Sequence, residues 1–225
     1  VRIKRAESNS ESFSAELHSN LAQLLFDRVQ VDKQLVVLDV GLATPTTVDL
    51  FSHFKCKLLF VDLYSLLPSL ELLSGGCEEN QEDHQQPTHQ QLVEQFTVAL
   101  NLDPQTKIDI CLFWDFFNYL DGTLLRAFID ALEPFISHST RGYGLGILNA
   151  RRQLPNYCYG IKNLDELNQY PRSEEQQPVY PHSQRDLNNL LGYFAVDKSR
   201  LMPDGRIEYI LSLDAEANFV KKSVF

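Results

Sequence analysis

The chain has 225 residues, 44% hydrophobic and 22% charged, which is enough for one compact domain with a core of ordinary size. A formal net charge of −10 opposes the polyanionic backbone of RNA or DNA, and the short groups Arg2/Lys4/Arg5, Arg151-Arg152 and Lys221-Lys222 are only weak evidence for a nucleic-acid partner, so none is expected. No apolar run approaches a bilayer span and the N-terminal VRIKRAESNSESFSAEL lacks the apolar centre of a secretory signal, so the expectation is a soluble, cytoplasmic chain without membrane contact.

Residues 1–13 read as a polar leader. Leu17, Leu21, Leu24, Leu25 and Val29 then form one stripe at helical spacing, predicting a helix over about 14–30 that covers a sheet face. Leu35 to Leu38 have the length and branching of a buried strand, and Asp39-Val40-Gly41 turn the chain at its carboxyl end. Thr44 caps a helix with Pro45 in its first position, where no partner awaits the missing N–H, running to about Phe54. A second strand is expected over 57–62 and a short helix over about 68–73. The polar, Gln-rich stretch 75–91 reads as an exposed, flexible loop.

A helix over about 90–100 and a buried strand over 108–113 follow, with no evident third parallel strand between Asp62 and Ile108. Asp121-Gly122-Thr123 starts an amphipathic helix, and 144–148 form another strand; this βα alternation argues for a mainly parallel sheet. Residues 149–181, with four prolines and tyrosines at 157, 159, 170 and 180, read as an irregular segment over the sheet edge, where loops carry substrate contacts. Ser183 caps a helix over 184–191. Segments 193–201 and 206–213, flanking Met202-Pro203-Asp204-Gly205, give a β-hairpin signal. Cys56 and Cys111 lie in or beside predicted strands, and the four cysteines lack CxxC spacing, so they read as reduced packing residues with neither a disulfide framework nor a metal site.

This order of elements resembles the class I S-adenosylmethionine-dependent methyltransferases. The motifs that carry the resemblance are LDVGLATP at 38–45, FVDLY at 60–64, IDICLFWDFFNYLD at 108–121, and the terminal SQRDLNNLLGYF with GRIEYILSL; it covers about 14–215. It implies a single α/β domain over 1–225 with a doubly wound, mainly parallel, Rossmann-like sheet and a C-terminal antiparallel β-hairpin. It also implies S-adenosylmethionine as cofactor and methyl transfer to a small-molecule or protein acceptor. In that pattern Asp39 and Gly41 shape the loop under the methionine part of the cofactor, and Asp62, 21 residues beyond Gly41, accepts from the ribose hydroxyls. The three small loop positions read Gly41, Ala43 and Pro45; Pro45 adds bulk and removes an N–H at the helix start. No adenine-binding acid is assigned among Glu78, Glu79, Glu82 and Asp83.

Each candidate has a plainer role beside it. Asp39 can cap the turn, and Gly41 can serve only a positive backbone angle. Trp114, Asp115 and Asn118 follow a buried strand at the ligand edge, where the indole can stack on adenine and the polar pair can contact cofactor or substrate; packing and helix capping are the alternatives, and packing is favoured for Phe116 and Phe117. His182 and Arg185 lie beside a possible active-site loop, but Ser183 with Asp186 reads as a helix cap. His84 and His89, near Glu82 and Asp83, read as part of a solvated loop. The four tyrosines can line a pocket or anchor an irregular chain. No catalytic residue is assigned, and a non-catalytic fold member serving as an interaction module is the competing reading.

Overall fold

The computed structural model describes residues 15–27, 29, 32–74, 87–148, 157–172 and 177–213, with the backbone alone for 71–74. Its main sheet has six strands: β2 (Leu35–Asp39), β3 (Cys56–Phe60), β4 (Ile108–Trp114), β5 (Ile136–Ile147), β8 (Phe194–Leu201) and β9 (Arg206–Leu213), in the spatial order β3-β2-β4-β5-β9-β8. β2 pairs in parallel with both β3 and β4, β4 in parallel with β5, and β9 runs antiparallel to β5 and β8. The doubly wound, mainly parallel sheet closed by an antiparallel hairpin is therefore as expected. Gly205, at φ +80°, makes the hairpin turn. Among the described residues no parallel strand lies between β3 and β4 in sequence.

The strands alternate between two cores, because successive side chains of a strand point to opposite faces. Leu38, Val40, Cys111 and Phe113 face α3 (His89–Leu100), α4 (Gly122–Leu132) and α5 (Gln184–Leu190). Leu35, Val37, Ile110, Leu112 and Trp114 face the other way, toward Phe51 of α1 (Pro45–Ser52). A short α2 (Leu67–Ser74) follows a 3-10 turn at Leu63–Leu66. Caps read from the sequence recur: Thr44 before Pro45, Asp121 accepting from the Thr123 and Leu124 N–H groups, and a Ser183–Asp186 capping box. Cys111 is buried in the first core, and burial pushes its thiol up.

Two expectations are corrected. The helix over 14–30 is instead β1 (Ala15–His18) followed by a 3-10 turn at Ala22–Phe26. The stripe of leucines still faces the second core, but the backbone between the two pieces is claimed by Glu208 of β9. Its carboxylate accepts from Ser19 Oγ (2.7 Å), the Asn20 N–H (2.9 Å) and the Leu21 N–H (3.4 Å), and these bonds replace a continuous helical ladder. Within the segment 149–181, read as irregular, residues 157–171 are instead a strand pair, while 177–181 do lack regular structure. β6 (Tyr157–Ile161) and β7 (Glu166–Pro171) form a hairpin, and β1 joins it as a three-stranded antiparallel sheet. Tyr159, Ile161 and Leu167 bury inward by alternation, and Pro171 falls at a strand end, where a missing N–H costs least. The 75–91 loop lies largely outside the described residues; from Thr88 on it is the capped start of α3, because Thr88 and Gln91 form a capping box.

Candidate functional site

The strand order reverses direction at β2, since β3 lies on one side of it and β4 on the other. The crevice outside the carboxyl ends of these strands is where doubly wound sheets take ligands. Five of the seven candidates, Asp39, Gly41, Asp62, Trp114 and Asp115, lie at this edge.

Asp39 ends β2 and is buried. Its Oδ1 accepts from the Gly41 N–H (2.8 Å) and from the Trp114 indole N–H (2.7 Å), while its buried Oδ2 has no partner among the described residues. Desolvation raises its pKa from 3.8 to about 7, against the lowering effects of those two donors and of Arg172. Gly41 does not take a positive φ; its lack of a side chain matters through space, because a Cβ there would meet Asp39 Oδ1 at 3.2 Å and the Trp114 ring at 3.5 Å. Ala43 is exposed on the loop that follows.

Trp114 is the strained residue of the site. Its φ of +51° is an outlier for a bulky side chain, and it coincides with a register shift between β4 and β5 at Leu112/Trp114. That conformation carries the indole to Asp39 and stacks it on Tyr159 of β6, centroids 5.6 Å apart and planes at 17°. Phe116 and Phe117 pack in the first core, as favoured.

Asp115 is fully buried. Its carboxylate accepts from Tyr64 (2.6 Å) and Tyr159 (2.9 Å), with Tyr119 at 3.5 Å. Desolvation raises its pKa; the tyrosine hydrogen bonds and the charge of Arg206 oppose that rise. Arg206 donates to the Tyr159 hydroxyl (2.9 Å) and pairs with Asp204, so one phenol links the two charges. Asn118 is spent on the backbone: its amide donates to Asp115 O and Leu145 O, and its Oδ1 accepts from the Ile147 N–H.

Asp62 follows β3 and is paired with Arg172, which comes from the end of β7. The guanidinium lies 4.4 Å above the Tyr64 ring, and its buried Nη1 has no partner among the described residues. Arg172, Tyr64 and Arg206 thus lie at the candidate site without being singled out from the sequence, where Tyr159 reads as pocket lining or anchor. Tyr64 stood inside FVDLY and Tyr159 among four tyrosines, whereas nothing local marked Arg172.

The small sheet also covers the start of α1. The Ile161 N–H donates to Thr47 Oγ1 (3.2 Å), the Tyr170 hydroxyl meets Thr46 Oγ1 (3.3 Å), and Gly160 passes so close that a Cβ there would lie 2.3 Å from both Thr44 Oγ1 and Thr46 Oγ1. His182 is engaged with the Leu120 carbonyl (2.8 Å), and His89 pairs with Asp130 on the surface. His84, Glu82, Asp83, Glu78 and Glu79 lie outside the described residues. No metal-ligand cluster occurs among the described residues, and no helix there is long and apolar enough to cross a membrane.

No protein-family model matches this sequence, and no curated protein matches it. Solved structures similar to the chain include the glycopeptide N-methyltransferase MtfA complexed with S-adenosyl-L-methionine, at 12% identity and a TM-score of 0.43 over 85% of this chain and 92% of that one. The mitomycin 7-O-methyltransferase MmcR is 11% identical at a TM-score of 0.47, over 86% of this chain and 52% of that one. An S-adenosylmethionine-dependent methyltransferase from Clostridium acetobutylicum ATCC 824 is 14% identical at a TM-score of 0.38, over 81% and 84%. All three are methyltransferases, the family the sequence resembles. At these identities and TM-scores none of them assigns a cofactor or a reaction to this chain.

Proposed function

We propose that the chain is a methyltransferase-type domain that takes S-adenosylmethionine in the crevice at the carboxyl ends of β2, β3 and β4 and acts on a small-molecule or protein acceptor. One observation carries this reading: two buried polar atoms of opposite character, Asp39 Oδ2 and Arg172 Nη1, have no hydrogen-bond partner among the described residues at the same strand edge. Buried polar groups are almost always hydrogen-bonded, so such a pair calls for a ligand that both donates and accepts. The ammonium and carboxylate of an amino acid meet that demand, on Asp39 and Arg172 respectively.

The remaining donor set fits the same cofactor. Asp62 stands just past the end of the neighbouring strand, paired with Arg172 through Oδ1, and its second carboxylate oxygen is the one that would accept from ribose hydroxyls. When bound, the cofactor supplies an electrophilic methyl group on a sulfonium. The chain's part is positioning and exclusion of water: Gly41 keeps the loop close, Trp114 and Tyr159 wall the crevice with apolar surface, and Asp115 is held by its tyrosines.

One observation favours a second reading, a non-catalytic interaction module. Arg172 already occupies Asp62, and the Trp114–Tyr159 stack lies against the Gly41 turn, so the chain's own side chains fill much of the crevice. Calorimetric titration of the full chain with S-adenosylmethionine and S-adenosylhomocysteine separates the readings. The proposal expects saturable heat that is lost in Asp62→Ala; absence of heat and of thermal stabilisation at millimolar ligand refutes it. Unchanged binding in Asp62→Ala would place the ribose elsewhere.

A further inference from the structure

At the opposite end of the sheet, by the amino ends of β2 and β4, lies a cavity of about 190 Å³ that has no part in the crevice. Leu25, Leu35 and Ile110 form its apolar wall, Lys33 and Arg141 its cationic one, and His138 lies beside them. A second cavity of about 350 Å³ adjoins it through the shared Lys33 and Leu35, adding Phe26, Phe54, His53 and Lys55. The two make a trough with an apolar floor and a basic rim, on a chain whose net charge is −10. Among the described residues Asp109 is the one acid in the lining of either cavity, and it is engaged: its carboxylate accepts from the Val36 N–H (2.9 Å) and from Lys33 (3.5 Å).

Arg141 gives the trough its chemical demand. The residue is 8% exposed, one arm of its guanidinium pairs with Asp197 (2.6 Å), and its buried Nε donates to nothing among the described residues. A buried donor left unpaired in the wall of a cavity is the feature that an anionic ligand relieves. The first cavity alone exceeds the ~150 Å³ at which an apolar protein cavity takes up benzene.

We propose that this trough binds an amphipathic carboxylate of the medium-chain fatty acid class. The carboxylate sits by Arg141 and Lys33, and the alkyl chain runs over Leu35 toward Phe26 and Phe54. The site is independent of the methyl-transfer reading, since none of these residues lies at the carboxyl ends of the strands.

Calorimetric titration of the full chain with sodium octanoate tests it, with 1-octanol as the uncharged comparison. Octanoate should bind saturably and at least about tenfold more tightly than octanol, the equivalent of about 1.4 kcal/mol for the charge. The double variant Lys33→Glu/His138→Glu changes two exposed side chains, and its circular dichroism should match the parent; it should weaken octanoate by about tenfold or more. Asp39→Asn, at the far edge, should leave octanoate affinity unchanged. No octanoate binding at millimolar concentration, equal affinity for octanol, or undiminished binding in the double variant overturns the proposal.

Discussion

Replacing Asp39 by Asn should stabilise the protein in a strictly pH-dependent way. Burial without a partner on Oδ2 raises the Asp39 pKa from 3.8 to about 7, so the folded chain holds this proton more tightly than the unfolded chain does. The stabilisation that comes from protonation is fully present below pH 3.8 and is lost as pH rises through 7. About three pKa units at 1.36 kcal/mol each give a cost of about 4 kcal/mol for burying the ionised form above pH 7. The carboxamide of the Asp39→Asn variant resembles the protonated acid: it keeps an oxygen for the Gly41 and Trp114 N–H groups and carries no charge. The variant should therefore nearly match the parent near pH 4, exceed it increasingly from there to about pH 7, and level off above that at about 4 kcal/mol. Other carboxylates titrate alike in both proteins and cancel in the difference. Urea titrations at each pH read this out, and Trp114, the sole tryptophan, reports from the site itself. A difference that stays flat across that range would show that Asp39 is not the buried proton holder inferred from its surroundings.

Tyr159→Phe removes the hydroxyl that donates to Asp115 and accepts from Arg206, leaving two buried charges less satisfied; a loss of about 1–3 kcal/mol is expected from urea midpoints. Gly160→Ala forces a Cβ against Thr44 and Thr46 and should cost about 1–3 kcal/mol, whereas Gly122→Ala, whose Cβ meets only Leu190 at 3.5 Å, should cost nothing. Equal stability of the two alanine variants would contradict the packing of β6 on α1. Arg172→Met should weaken S-adenosylhomocysteine binding by about tenfold if Nη1 takes the cofactor carboxylate, and calorimetry compares the two affinities directly.

Local signals account for what the sequence revealed. β2, α1 and β3 were legible because a buried apolar run, a Thr-Pro helix start and a second run follow each other within 26 residues, each with its own signature. The C-terminal hairpin was legible from Asp204-Gly205 for the same reason. The segment at Ala15–Phe26 was misread because leucine spacing fits a helix, while the deciding partner, Glu208, lies nearly 190 residues away and left no mark on the local pattern. β6 and β7 were hidden by prolines around them, and their strands are stabilised by β1 and α1, again from distant sequence. At the candidate site, Asp39 was legible from the turn Asp39-Val40-Gly41 and the family pattern, and Asp62 from its separation of 21 residues from Gly41. Their actual environment was not, since Trp114, Arg172 and Tyr159 reach them only through the fold.

On the proposed reading, the buried Asp39 oxygen without a partner among the described residues couples ligand binding to protons. Around pH 6, below its folded pKa of about 7, Asp39 is mostly protonated and can offer an ammonium group little. An ammonium placed on Oδ2 favours the carboxylate, so binding at that pH drives a proton off Asp39 into solution. Affinity for S-adenosylhomocysteine should thus rise with pH toward 8, and the observed heat near pH 6 should change with the ionisation enthalpy of the buffer. In Asp39→Asn the buffer dependence should vanish, because no proton remains to be released. Binding without proton release in the parent protein would place the amino group away from Asp39 and leave its buried oxygen to a structural role alone.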